Sequence, residues 1–441
     1  MHLAPSSFVK SRLARLNRSI SIPADVSGLV SVSPREGDPA GGGLTEKEVE
    51  RIWGRVEDLY RTGLHPAAGL CLIRGGRVVL DRTIGHARGN GPEDGPDGKK
   101  VLASPETLFC WFSASKAVTA MVVHLLVEDG KIHLLDPVSH YLPEFAVHGK
   151  GNVTVQQMLC HRGGIPMIPT GTDPEILYDW DRAVAFLSAL KPAHGPGRQV
   201  AYHAVTGGYI LGEIVRRVTG KELNQVLKER ITGPLGLPTF AYGVAKKNMA
   251  RLAQNHFTGL PVPFPASTIV QRALCLPWER VVDISNQPPF YQSVIPSANL
   301  CSTNWEMARF YQMLLNGGEL DGVRIFSPLT IRRALMEPGK RYVDRVLLLP
   351  IPYSLGLIRG GFPISLFGVN ASQAFGHSGF INCISWADPS RDIAVALQNT
   401  GKPLLGSHIP ALVNLVGSIT HNCPRIRSCR QVRRIYEPVA A

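Results

Sequence analysis

Ser113-Ala114-Ser115-Lys116 sets a hydroxyl and an amine three positions apart. On a helix that is close to one turn, so Lys116 lies on the face of Ser113. A serine hydroxyl is a weak nucleophile until a base takes its proton. A lysine can assist if burial and neighbouring positive charge lower its pKa. A helix start adds a partial positive charge and free backbone N–H groups that can face an oxyanion. The same spacing occurs at Ser7-Phe8-Val9-Lys10 and Ser188-Ala189-Leu190-Lys191. The first falls in a basic terminal stretch. The second ends a helical pattern, where no N–H groups are free. Taken alone, Ser113 also reads as a helix N-cap with Lys116 in solvent, because serine is a favoured cap.

The elements that must position this pair are legible on both sides of it. Val118, Met121, Val122, Leu125 and Leu126 give a helical stripe from about 115 to 128, and Gly130 stops it. Upstream, Thr45 and Glu48 form a capping box ahead of a helix that buries Val49, Ile52, Trp53, Val56, Leu59 and Tyr60. Two strand-like runs, 68–73 and 77–81, flank Gly75-Gly76, a two-residue hairpin signal. From about 136 to 341 the pattern is helix and loop, with helices expected at 155–160, 182–190, 205–218, 222–231 and 305–315. The proline-rich, aperiodic stretch 257–296 predicts a long loop or lid. Strand patterns return at 353–358, 383–387 and 393–399, and a last helix is expected at about 408–419. The expected fold is α+β: an antiparallel sheet flanked by helices, built from both chain ends, with an inserted mainly helical domain at about 136–341. The expected boundaries are a basic extension at 1–43, the main domain at 44–420 and a basic tail at 421–441. A pocket at the sheet–insertion junction is the natural site.

The surroundings of Ser113 carry a resemblance. Pro105-Glu106-Thr107-Leu108-Phe109 leads into Ser113-Ala114-Ser115-Lys116-Ala117-Val118-Thr119-Ala120. Leu126-Val127-Glu128-Asp129-Gly130-Lys131-Ile132, Asp136-Pro137-Val138 and Tyr141-Leu142-Pro143 follow. Together these resemble the nucleophile region of the class C β-lactamase superfamily. That group also holds family VIII carboxylesterases and D-alanyl-D-alanine carboxypeptidases. Further pieces match in order: the turn from Thr154 to Gly164, Tyr202-His203-Ala204 before a helix, Ser302 to Leu315 with Asn316-Gly317-Gly318 and Asp321-Gly322, and Gly376-His377-Ser378-Gly379. The resemblance spans about 45–419.

It implies a β-lactamase/transpeptidase-like fold in which Ser113 is acylated. Tyr202 corresponds to the tyrosine that, with Lys116, takes the serine proton and later activates water. A phenol ionises near pH ~10, so it needs a nearby cation, and Lys116 is that cation. The sequence leaves open which of the two is the base. By the same resemblance His377 and Gly379 lie on the strand facing the site. The N–H of Phe380 joins that of Ser113 in the oxyanion hole. His377 is expected to orient a substrate oxygen or Tyr202, partly charged at neutral pH. His161 is expected to hold a turn. Ser297-Ala298-Asn299 mimics an S-x-N element but fits a structural turn. Gly376-His377-Ser378-Gly379-Phe380 mimics a G-x-S-x-G elbow, but Phe380 replaces the last glycine.

Two positions depart from the family pattern: Ala204 stands where an asparagine is usual, and His377 where a lysine is usual. Both usual groups help hold an amide substrate and its carboxylate. Ester cleavage asks less, because an alkoxide leaves more easily than an amine. The expected function is therefore an esterase or lipase-like serine hydrolase acting on a small-molecule ester. The alternatives are a β-lactamase or D,D-peptidase-like amide hydrolase, an acyltransferase, and a non-catalytic binding protein on the same fold.

Bulk properties narrow the partners. The net charge is +13, but much of it sits in the two ends, with Lys10, Arg12, Arg15 and Arg18 at one and Arg425, Arg427, Arg430, Arg433 and Arg434 at the other. Such ends read as solvated tails, so no nucleic-acid partner is expected. A weak membrane-surface contact through the tails is the most they suggest, with 8–16 as a short amphipathic helix. No run reaches the ~20 apolar residues of a membrane span. No apolar secretory segment opens the chain, so a cytoplasmic or membrane-associated location is expected. The eight cysteines are scattered without a C-x-x-C pair, and no metal or organic cofactor is implied. The oligomeric state is not legible.

Overall fold

The computed structural model describes residues 18–426, apart from 96, 97, 340, 341 and 381. Its strands are β1 (Val30–Val32), β2 (Ala67–Arg74), β3 (Arg77–Arg88), β4 (Val101–Leu102), β5 (Phe109–Cys110), β6 (Ala241–Tyr242), β7 (Leu300–Ser302), β8 (Glu319–Leu320), β9 (Val323–Arg324), β10 (Ile358–Arg359), β11 (Ile364–Ser365), β12 (Gly368–Val369), β13 (Phe375–Gly379), β14 (Cys383–Asp388) and β15 (Ile393–Asn399). The main sheet is antiparallel and runs β1-β3-β2-β15-β14-β13-β10, with β4 on β3. The β2–β15 pairing, Ala68 with Asn399 through Arg74 with Ile393, joins the two ends of the chain. Gly75 and Gly76 both take positive φ in the β2–β3 turn, as a two-residue hairpin requires.

The Glu46–Arg61 helix starts on a complete Thr45–Glu48 capping box and buries the six apolar residues of its stripe. It packs with the C-terminal helix His408–Asn422 on one face of the sheet. The helical insertion covers the other face, and the Asn304–Leu315 helix lies directly on β2, β14 and β15. The α+β architecture expected from the pattern is the one observed.

Three local expectations change. The stretch 257–296 holds helices Ala266–Leu274, Trp278–Ile284 and Pro288–Gln292. Pro265 and Pro277 stand at N-caps and Pro288 at N1, where a missing N–H costs nothing. Three of the prolines that suggested a loop are helix starts. In the run 353–358, only Ile358 enters a strand. Gly356 sits at φ +105°, and a Cβ there would lie 2.1 Å from the Ala120 Cβ, so the chain turns to pass the Ser115–Glu128 helix. The stretch before Gly43 is packed from Arg18 on: β1 pairs with β3, and Gly42 is buried against Val79. The segment 8–16 and the tail from 427 lie outside the described residues. Among the described residues no helix is long and apolar enough to cross a membrane.

Candidate active site

Ser113 sits in a short 3-10 turn, Phe112–Ala114, that runs into the Ser115–Glu128 helix. The turn is pinned from the side. Trp111 N–H donates to Leu300 O at 2.8 Å. The Trp111 indole donates to Ser302 Oγ at 2.8 Å, and Ser115 Oγ accepts from Leu300 N–H at 3.0 Å. Serine 113 is therefore not a solvent-facing cap but part of a rigid junction between β7 and the helix.

Lys116 Nζ lies 3.2 Å from Ser113 Oγ and donates to Ser297 O at 3.0 Å. The side chain is buried, and burial holds its pKa well below the ordinary lysine value. No carboxylate contributes to that shift, so nothing there restores the charge. The Tyr202 ring centroid is 4.9 Å from Lys116 Nζ, and Ser113 is near enough to act on the phenol's ionisation. Burial raises the phenol pKa, while the contact with Ser113 lowers it. The structure thus brings Ser113, Lys116 and Tyr202 together, although Tyr202 is distant in sequence.

Tyr202 is held by its neighbours. His161 O accepts from Ala201 N–H at 3.0 Å, and His161 Nδ1 accepts from His203 N–H at 3.2 Å. The His161 ring centroid is 4.9 Å from that of Tyr202 and 4.6 Å from that of Tyr353. Because its Nδ1 accepts, His161 is neutral, and burial lowers its pKa well below the usual value. Asp344 accepts from the backbone of Val346 and Leu347 and from the Tyr353 hydroxyl. Asp344 and Tyr353 were not singled out from sequence, and no local motif marks either.

His377 lies on β13, buried, with Nδ1 donating to Ser378 O at 2.7 Å. Burial, reinforced by the nearby Lys116, pushes its pKa down to about 3. It is neutral at neutral pH, not partly charged as expected, because the sequence showed its position but not its enclosure. Ser378 is mid-strand, opposite Ile384, and the antiparallel setting excludes a strand–turn–helix elbow.

Gly379 ends β13 directly against the nucleophile turn. A Cβ there would lie 2.0 Å from Trp111 O and 3.2 Å from Ala114 N. Phe112 and Phe380 flank this contact, both with positive φ, +44° and +43°. Such non-glycine backbone costs about 1–3 kcal/mol each and gathers where structure is held for function. The two rings stack at 4.9 Å, and Trp278 stacks on Phe380 at 4.1 Å. Trp278 is a third residue the sequence did not flag. Gly379→Ala is expected to destabilise the fold by about 1–3 kcal/mol and to cut turnover at least about tenfold, since backbone must move. Urea midpoints and kcat measured together check this; an unchanged kcat would show that β13 does not abut the turn.

Ser297-Ala298-Asn299 does form a turn. Asn299 Oδ1 accepts from Ile295 N–H, and Ser297 Oγ bonds Val205 O at 3.0 Å. The same turn also places the Ser297 carbonyl on Lys116, a role no side-chain pattern could reveal. Among the described residues no cluster of His, Cys, Asp and Glu is arranged to hold a metal ion.

The arrangement is a serine hydroxyl on a buried lysine amine whose pKa burial lowers, with a phenol beside that amine and a glycine strand end packed on the serine's turn. A set of groups of this kind can carry acyl transfer. Comparison with known proteins agrees. The family model described as Beta-lactamase matches residues 56–412. "Esterase/beta-lactamase LipL" of Mycobacterium tuberculosis is 28% identical over 347 residues, 74% of this chain and 76% of that protein. A penicillin-binding protein homologue from Caulobacter crescentus superposes with TM-score 0.74 at 32% identity, covering 86% of this chain and 98% of that one. A family VIII carboxylesterase gives TM-score 0.72 at 28% identity, covering 84% and 96%. With fold, site geometry and a match over most of its length in agreement, this chain belongs to the β-lactamase family of hydrolases.

Proposed function

We propose that the protein is a carboxylesterase working through an acyl-enzyme on Ser113. The observation that carries this is the contact of Ser113 Oγ with Lys116 Nζ at 3.2 Å, with the Tyr202 ring 4.9 Å from the same amine. In the free enzyme Lys116 is neutral. It donates to Ser297 O and accepts the Ser113 hydroxyl proton, while Tyr202 donates to Ser113 Oγ. Attack forms a bond from Oγ to the ester carbonyl carbon, and the Ser113 proton passes to Lys116. The resulting oxyanion is held by the N–H groups of Ser113 and Phe380. Collapse breaks the carbon–alkoxide bond, and the alkoxide takes a proton through Tyr202 from Lys116. Water then repeats the sequence and frees the acid.

Lys116 is favoured as the base over Tyr202, because burial pushes the amine toward its uncharged, basic form and the phenol toward its protonated form. Esters are favoured over amides because the strand facing the site carries neutral His377 and the position two after Tyr202 is Ala204. Ala204 offers no side-chain hydrogen bond to an amide, and neutral His377 cannot form an ion pair with a substrate carboxylate. The name of the family VIII carboxylesterase points the same way, while that of LipL names both activities. A p-nitrophenyl ester series from acetate to dodecanoate, run beside nitrocefin, tests the reading. Short and medium esters are expected to give a burst and steady turnover, with nitrocefin at least about 100-fold slower in kcat/KM. Nitrocefin turned over as fast as the best ester would favour a lactamase.

A further inference from the structure

An open cleft of about 740 Å³ has on its wall Ile165, which bonds the His203 that follows Tyr202. Its floor and walls are apolar, with Ile165, Met167, Ile168 and Leu190, and its charged lining residues are Lys191 and Arg272. No acidic side chain lines it among the described residues. Lys191 and Arg272 are exposed, and neither has a carboxylate within ion-pair distance among the described residues. The cleft is joined to the catalytic tyrosine. Ile165 N–H donates to His203 Nε2 at 3.3 Å, and Ile165 O accepts from Thr206 Oγ1 at 2.6 Å. His203 follows Tyr202 directly, and Ala273 of the Ala266–Leu274 helix belongs to the same buried cluster as Tyr202 and Ala204. Ile168 N–H on Cys275 Sγ, at 3.3 Å, ties the loop wall to the helix wall.

We infer that this cleft selects esters bearing an apolar arm that ends in a carboxylate, the arm lying along Ile165 and Ile168 and the carboxylate meeting Arg272 and Lys191. This rests on the esterase reading and names its substrate class. An apolar trough favours methylene groups, and unpaired cations at its rim favour a terminal anion. A guanidinium can take both carboxylate oxygens at once. The carboxylate can belong to the acyl half, as in a half-ester of a dicarboxylic acid, or to the alcohol half.

The test compares mono-p-nitrophenyl esters of four- to eight-carbon dicarboxylic acids with methyl-ended p-nitrophenyl esters of equal length. A second arm compares acetate esters of ω-hydroxy acids with those of plain alcohols. In one arm the carboxylated ester is expected to lead by about three- to thirtyfold in kcat/KM, as two solvent-exposed charge contacts allow, with a peak at one chain length. The lead should shrink as salt rises. It should vanish in Lys191→Glu/Arg272→Glu, with the neutral ester unaffected, and persist in Lys47→Glu, a distant exposed lysine that alters net charge alone. Neutral esters turned over without any carboxylate preference, or a preference that survives the double reversal, would overturn the inference and leave the esterase reading standing. Absence of turnover on every ester would remove both.

Discussion

Replacing Ser113 by alanine is expected to lower ester turnover by about 10⁴-fold or more, because groups acting as one nucleophilic unit fail together. The change removes one oxygen, half-buried in the turn, and leaves the bonds of Trp111 and Ser115 to β7 and its neighbours intact. Stability should therefore move by no more than about 1 kcal/mol, and the burst should disappear with the steady state. Full turnover by this variant would refute the assignment. Loss of activity accompanied by unfolding would be visible in the circular dichroism, so the two outcomes are separable.

Lys116→Met makes the second large prediction, and it has two readouts of opposite sign. Removing the base should cost about 10²–10⁴-fold in kcat/KM. Stability should respond the other way as pH falls. Burial depresses the lysine pKa in the folded state, whereas the unfolded chain keeps the ordinary value near ~10.4. Between those two values the unfolded state binds one proton more, so folded stability drops as pH is lowered through that window, by about 1.4 kcal/mol per pH unit. Methionine has no proton to bind and keeps much of the volume. The variant's stability relative to wild type should then rise steadily from alkaline toward neutral pH. The lost N–H contact to Ser297 O subtracts a constant of about 1 kcal/mol and leaves the slope unchanged. Denaturant titrations at four or five pH values suffice; parallel stability curves would mean that Lys116 is charged in the folded protein.

Much of this molecule can be read from local pattern, and the limits have physical causes. The Glu46–Arg61 helix declares itself through its capping box and stripe, and the β2–β3 hairpin through Gly75-Gly76. The Ser113–Lys116 pair is legible because helix geometry converts spacing into proximity. Tyr202 is not, since nothing in its own neighbourhood requires it to meet Ser113; only the ordered resemblance along the chain pointed to it. The Ser297 carbonyl is invisible in principle, because every residue has one. The pairing of Asp344 with Tyr353 behind Tyr202 depends on a chain path no motif records. His377 was placed correctly on its strand but given the wrong charge, because ionisation follows burial, and burial is a tertiary property. The three helices between Phe257 and Pro296 were hidden by prolines that serve as their starts.

The account stands on Ser113 forming the covalent intermediate, and intact-protein mass spectrometry after reaction with a fluorophosphonate reports that directly. The predicted result is one phosphonyl group per chain, mapped by peptide sequencing to Ser113, and none on Ser113→Ala. An unmodified wild-type protein, or a label residing on Ser378 or any other hydroxyl, would contradict it.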